Sequence, residues 1–140
     1  MSLCRSSAAL ALVAVACTSI QADARTFEGT SWRVTAINGH ATPRADNLVM
    51  RFANGQIGGH FGCNRFSGAY RVSGDVMTAG PIAATKMACD SALDEPRISP
   101  MQFESWGFAV VGAPMRMTWR NGERLTLSNS AGSIEMERVP

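Results

Sequence analysis

Short runs of alternating apolar and polar residues, cut by turn dipeptides, constrain this chain more than any other feature. Trp32, Val34 and Ala36 alternate with Arg33 and Thr35, and Asn38-Gly39 then turns the chain. Leu48 to Phe52 is a second strand, ended by Asn54-Gly55, and Gln56 to Phe61 can pair back across that turn. Ala69 to Val72, a turn at Ser73-Gly74-Asp75 and Val76 to Thr78 repeat the pattern. Ile82 to Thr85 reads as a short strand after Pro81. Such spacing belongs to an antiparallel β domain.

The C-terminal third can be read to the register. Met115, Met117 and Trp119 alternate, as do Leu125 and Leu127. A two-residue loop, Asn121-Gly122, would put the two apolar rows on opposite faces. A three-residue loop, Arg120-Asn121-Gly122, sets Met117 opposite Leu125 and Met115 opposite Leu127 on one face, so the longer loop is expected. Ile134 and Met136 then fall opposite Leu127 and Leu125. Trp32, Met115, Met117, Trp119, Leu125, Leu127 and Met136 are thus either core or the lining of a ligand pocket.

One segment departs from the strand pattern. Ser99 is a good N-cap, Pro100 fits the first helical position, and Gln102 completes a capping box. Ile98 and Phe103 are placed as a hydrophobic staple. Phe103, Trp106 and Val110 share a face, and Gly112 and Pro114 end the helix. The expected fold is α+β: an antiparallel, strongly curved sheet or incomplete barrel with one helix packed against it.

The N-terminus reads as an export signal. Met1 to Arg5 is basic, Ala8 to Ala16 is apolar but too short to span a bilayer, and Ala22-Asp23-Ala24 suits a signal peptidase. Residues 1–24 are assigned to the signal and 25–140 to one domain. Ala14-Val15-Ala16-Cys17 offers an alternative, in which Cys17 is lipidated. The expected location is the periplasm, or the outer membrane if Cys17 carries lipid, with no transmembrane segment in the mature chain. Cys4 and Cys17 belong to the leader, which leaves Cys63 and Cys89. In an oxidising compartment the two most simply pair. Closing the loop between them is worth roughly 3.5 kcal/mol by chain entropy. A metal pair lacks partners, because His40 and His60 do not sit at zinc spacing.

Around Cys63 the chain reads Gly58-Gly59-His60-Phe61-Gly62-Cys63-Asn64. The paired glycines suggest a bulge or a close backbone approach. Gly62 and Asn64 both tolerate positive φ, so Cys63 is expected at a sharp bend with its sulfur inward, and Gly68 at a second bend. The run Gly62-Cys63-Asn64-Arg65-Phe66-Ser67-Gly68-Ala69-Tyr70, followed by Gly74-Asp75 and Ala84-Thr85-Lys86-Met87-Ala88-Cys89, resembles the META domain of HslJ-like heat-shock proteins. Gly29-Thr30-Ser31-Trp32 and Leu125-Thr126-Leu127 fit as well, and the resemblance spans about Phe27 to Arg138. Gly62, Cys63, Asn64, Thr85, Met87 and Cys89 carry the family motif. The resemblance implies a small envelope protein, secreted or lipid-anchored, with a β-rich fold, one helix and no established catalytic site. Some members are linked to heat shock, motility or resistance to the antibiotic novobiocin. Pro96 and Pro100 stand where the family pattern would have a longer uninterrupted helix.

Candidate chemistry is sparse. The formal charge of +2 is spread along the chain, and Lys86 is the sole lysine. A nucleic-acid surface would need a basic stripe, so no nucleic-acid partner is expected. Asp90, Asp94 and Glu95 read as a solvated loop before the helix rather than a cation site. His60 and Cys63, three apart on a strand, point to opposite faces, and an oxidised Cys63 is no nucleophile. The methionines could hold copper(I) but read as adaptable core. The expectation is a non-enzymatic, monomeric envelope protein without cofactor. It would act in stress or antibiotic tolerance through contacts with an envelope protein. The alternative is a binding module that holds a small apolar ligand or lipid in the curved sheet. A hydrolase or redox enzyme built on Cys63, Cys89 and His60 is the third reading.

Overall fold

The structure, a computed structural model, describes residues 26–89 and 98–140. The expected leader 1–24 with Cys4 and Cys17, the acids Asp90, Asp94 and Glu95, and Pro96 all lie outside the described residues. Ten strands and one helix follow in the order β1 (Thr30–Ile37), β2 (His40–Ala41), β3 (Leu48–Ala53), β4 (Gln56–Phe61), β5 (Arg65–Ser73), β6 (Val76–Ala79), β7 (Ala83–Ala84), α1 (Pro100–Val111), β8 (Met115–Arg120), β9 (Arg124–Asn129) and β10 (Gly132–Val139). All pairings are antiparallel. Eight strands form a ring in the order β1-β3-β4-β5-β6-β8-β9-β10, and β10 pairs back onto β1. The barrel is therefore closed, where the sequence suggested an incomplete one. Closure joins the first strand to the last, a pairing with no local sequence signal. β2 and β7 are short additions, on β1 and β5.

The turn chemistry explains the meander. Asn38, Asn54 and Asn121 each take a left-handed φ just before a glycine that does the same. The β8–β9 hairpin has the expected three-residue loop, but it covers Asn121 to Glu123. Arg120 pairs with Arg124, Trp119 with Leu125, and Met117 with Leu127. The register is therefore two residues from the expected one. A shift of two leaves every side chain on its face, so the core rows survive. Ile134 and Met136 face Leu127 and Leu125 as expected. In β1 a bulge between Val34 and Ala36 reverses the alternation, so Ile37, not Ala36, enters the core.

Side chains fill the interior. Trp32, Met115, Met117, Leu125, Leu127 and Met136 are all buried, and Trp119 is half-buried against them. Six of the seven positions expected to be core or ligand lining are thus buried in one apolar cluster, with Trp119 packed against it. At one end, Phe27 packs its ring on Trp32, Phe52, Tyr70 and Trp119, at centroid distances of 4.9–6.4 Å. At the other end α1 lies across the opening, against β1, β4, β9 and β10. Ser99 caps it by accepting from the N–H of Gln102. Asn129 Nδ2 donates to the Val110 carbonyl at 2.8 Å and so satisfies its far end. Phe103, Gly107 and Val110 face the barrel. Trp106, expected in the core stripe, is only half-buried, between Phe103 and a stacked His40 ring at 5.2 Å.

The glycines permit close approach more than bending. A Cβ at Gly59, where φ is 148°, would collide with the Val49 carbonyl. A Cβ at Gly107 would meet the Phe61 ring at 2.5 Å. Gly68 does not bend the chain: β5 runs through it, and Ile82 and the Pro81 carbonyl fill the space a side chain would need.

Two tests follow from this packing. Gly107→Ala is expected to destabilise the protein by about 1–3 kcal/mol through overpacking, despite a helix-propensity gain of about 1 kcal/mol. Ser105→Ala on the exposed face should change little, and urea unfolding measures both. The second concerns Glu28, whose carboxylate accepts from the N–H groups of Asn54 and Gly55 and from the Tyr70 hydroxyl. The Gly55 N–H, then Tyr70, hold its pKa below 4.5, while burial, with help from Glu28, pushes Tyr70 up to about 12. A lowered acid stabilises the fold above its unfolded pKa and loses that contribution as pH falls through 4.5 and below. A raised tyrosine loses its contribution as pH climbs from 10 to about 12. Glu28→Gln should flatten the acid limb of the stability profile, and Tyr70→Phe the alkaline limb.

Candidate functional site

The motif residues converge on one place, the bend between β4 and β5. Cys63 and Cys89 form a disulfide with their Cα atoms 5.8 Å apart. Cys63 is buried, as expected. Gly62, with φ 125°, lets the bend pass beneath the first turn of α1, since a Cβ there would press on Pro100. Asn64 does not take positive φ, contrary to expectation. Its importance lies in its side chain.

Asn64 is buried at 3% exposure and uses both its carbonyl and its amide. Its Nδ2 donates to Glu104 Oε1 at 2.8 Å and to the Met87 carbonyl at 3.1 Å. Its Oδ1 accepts from the Thr85 hydroxyl at 2.9 Å and from the Met87 N–H at 2.7 Å. All four side-chain valences are filled. The Asn64 backbone N–H donates to Glu104 Oε2. Thr85 Oγ1 in turn accepts from the Arg65 N–H at 3.1 Å. One asparagine thus reproduces strand pairing for residues 85–87, just past the end of β7, and ties them to the helix.

Glu104 was not singled out from the sequence. It is 6% exposed, on a helix otherwise buried through Phe103, Gly107, Val110 and Val111. The available signal was a carboxylate inside an apolar helical face, which must find donors in the fold. Its donors lie forty positions earlier in the chain, so the partner was not readable.

The described methionines split into two sets. Met50, Met77, Met115, Met117 and Met136 are buried in the barrel, but Met87 and Met101 are 57% and 40% exposed. These two flank a groove between α1 and residues 82–88, walled also by Ile82, Ala84, Lys86, Glu104 and Phe108, with a volume of about 540 Å³. It continues along Ile82, Ala84 and Phe108 into a second trough of about 500 Å³, bounded by Ala79, Gly80, Pro81, Val111 and Gly112. Met101, Glu104 and Phe108 share one helix face, so α1 shows the barrel one side and the groove another. The groove exists because β6 meets β8 over only two residue pairs, Val76–Arg116 and Met77–Met115. Beyond them the strand line turns through Pro81 into β7 and leaves its outer edge open.

His60 is half-buried on β4, paired with Val49 and Arg65. It lies outside the Asn64 network, and Cys63 is committed to its disulfide. The structure does not bring Cys63 and His60 together as a nucleophile and base. Among the described residues no group of His, Cys, Asp and Glu could hold a metal ion, and no helix is long and apolar enough to cross a membrane.

The network sets a mutational expectation. Glutamine at 104 offers one acceptor oxygen where two donors wait, so its amide must face an N–H. Glu104→Gln is expected to cost about 1–3 kcal/mol, and Asn64→Ala a similar amount. The double variant Asn64→Ala, Glu104→Gln should cost less than the sum of the singles, with a coupling of about 0.5–3 kcal/mol in a double-mutant cycle.

Comparison with other proteins agrees with this geometry. A protein structure determined by NMR superposes with a TM-score of 0.66 at 19% identity, over 81% of this chain and 92% of its own. A protein from Burkholderia xenovorans, also determined by NMR, gives 0.59 at 18% identity over 83% and 86%. At such identity the likeness concerns the fold alone. No curated protein matches the chain. The META domain profile matches residues 25–138, which include every residue of the disulfide and the Asn64 network. The chain belongs to the META domain family.

Proposed function

We propose that this META domain protein is a non-catalytic protein of the cell envelope, which supports stress or antibiotic tolerance through contacts with another envelope protein. The groove between α1 and residues 79–88 is its contact surface. The observation that carries this reading is how the motif residues are spent. Cys63 and Cys89 are bonded to each other, and Asn64, Thr85 and Glu104 satisfy one another. Those groups are committed to shaping a surface rather than to a substrate. The surface they shape carries exposed thioethers at Met87 and Met101 beside Phe108 and Ile82. Flexible methionines suit a contact face that must adapt to its partner. A stable disulfide agrees with an exported protein.

A small apolar ligand remains the second reading, moved from the filled barrel to the groove. Its support is the apolar wall of Ala79, Ile82 and Phe108 around a trough of about 500 Å³.

The test is complementation of a deletion strain of the host with Met101→Glu, Met87→Glu or His60→Ala, at matched levels of folded protein. Tolerance to heat and to a hydrophobic antibiotic should be lost with the groove variants and kept with His60→Ala. The opposite pattern would overturn the reading in favour of chemistry. Native mass spectrometry of the protein from envelopes separates the two occupants. A small adduct present on the wild type and absent from Met101→Glu would favour the ligand.

A further inference from the structure

We infer that the partner enters this groove as an extended peptide that adds a strand to the outer edge of β7, with apolar side chains toward α1 and a carboxylate at the Lys86 end. This inference rests on the groove as the contact surface and goes further by naming the form and chemistry of the occupant.

The backbone supplies the first ground. Ala84 pairs with Phe66, and the neighbouring Thr85 N–H donates to the Arg65 carbonyl at 3.0 Å. In an antiparallel ladder the bonded pairs alternate with pairs whose N–H and C=O point away from each other. Ala84 is such a residue, so its N–H and C=O point away from β5, into the groove. Two residues after Thr85, the N–H and C=O of Met87 are both taken by Asn64. Lys86 between them is therefore directed outward like Ala84. Among the described residues, none of these four outward groups takes part in the ladder, and Ala83 to Ala88 are all exposed. An unpaired edge held rigid on its other side is a template for one more strand.

The second ground is what stands opposite. α1 does not cover this edge. It faces it across the groove with Met101 and Phe108, and the groove is long enough to run past both Ala84 and Lys86. An incoming strand would find hydrogen-bonding groups on one side and apolar side chains on the other. A lipid or a compact drug would leave the edge groups unsatisfied.

The third ground is charge. Lys86 is exposed at one end of the edge and lines the groove. The nearby carboxylate of Glu104 is buried and engaged by Asn64. The opposite end, at Gly80, Pro81 and Gly112, carries no charge. An extended partner is therefore oriented with an acidic residue toward Lys86.

The experiment uses the oxidised full domain, labelled with ¹⁵N, and an acetylated heptapeptide of alternating threonine and valine that ends in aspartate. Binding should move the amide signals of Ala84 and Lys86 most and slow their hydrogen exchange at least tenfold. The same peptide N-methylated at alternate amides should bind at least tenfold more weakly. Ala84→Pro removes an outward N–H that the β5 ladder does not use and should weaken binding equally. Lys86→Glu should reverse the preference between peptides ending in aspartate and in lysine, a charge swap that needs no refolding of the edge. Binding that shifts Met101 and Phe108 without protecting Ala84 and Lys86 would overturn strand addition while leaving the groove as the contact surface. Dimerisation of the protein through this edge in place of peptide binding, or no binding of any peptide, would also overturn it. Loss of tolerance in Met101→Glu with full tolerance in Ala84→Pro would separate the failure of this inference from that of the groove itself.

Discussion

The contact between Asn64 and Glu104 is the constraint on which the rest of the site depends. A carboxylate on a buried helix face must be given donors, and an asparagine at a tight bend provides them from both its backbone and its side chain. The same asparagine has its remaining valences in residues 85 and 87. One residue therefore fixes three elements relative to each other: the β4–β5 bend, the segment after β7, and α1. The disulfide from the neighbouring Cys63 holds that segment again two residues further on. Its contribution, roughly 3.5 kcal/mol by loop closure, is a large share of the 5–15 kcal/mol typical of a domain.

The closed barrel and the open groove are two consequences of one geometry. Eight strands close because β10 returns to β1 along six residue pairs. On the far side of the ring the seam between β6 and β8 is held by only two pairs. A helix laid across the end of the barrel covers its interior there but leaves the edge of β7 facing it. Free strand edges are usually short, charged or covered. This one is short, and its one charge is at Lys86. The fold keeps the edge rigid through Asn64 instead of burying it.

Much of this was legible in the sequence, and the rest was hidden for definite physical reasons. Asn38, Asn54 and Asn121 announced their turns because few residues accept a left-handed backbone before glycine. Ser99 and Pro100 announced the helix, since its first turn has N–H groups that need an acceptor. Cys63 and Cys89, the two cysteines outside the expected leader, announced their pairing. Closure of the barrel did not announce itself, because Val34 and Met136 become partners only through the whole topology. The bulge near Ala36 and the two-residue shift at Trp119–Leu125 escaped for a related reason: alternation fixes the face of a side chain but not its exact partner. By its residue type Asn64 reads as a backbone device, because asparagine tolerates the left-handed region better than most residues. Its role as a hub depends on Glu104, which was itself an anomaly visible on the helix and left unused.

The most direct measurement is amide hydrogen exchange on the oxidised protein and on Asn64→Ala, compared residue by residue under native conditions. If Asn64 fixes the groove, protection should fall selectively at the bonded amides of Ala83, Thr85 and Met87 and in the first turns of α1, while β1, β9 and β10 keep their wild-type rates. Equal loss throughout the barrel would make Asn64 a general stabiliser with no special hold on the groove. Unchanged protection at Thr85 and Met87 would contradict the account outright, because the edge would then be held by something other than this asparagine.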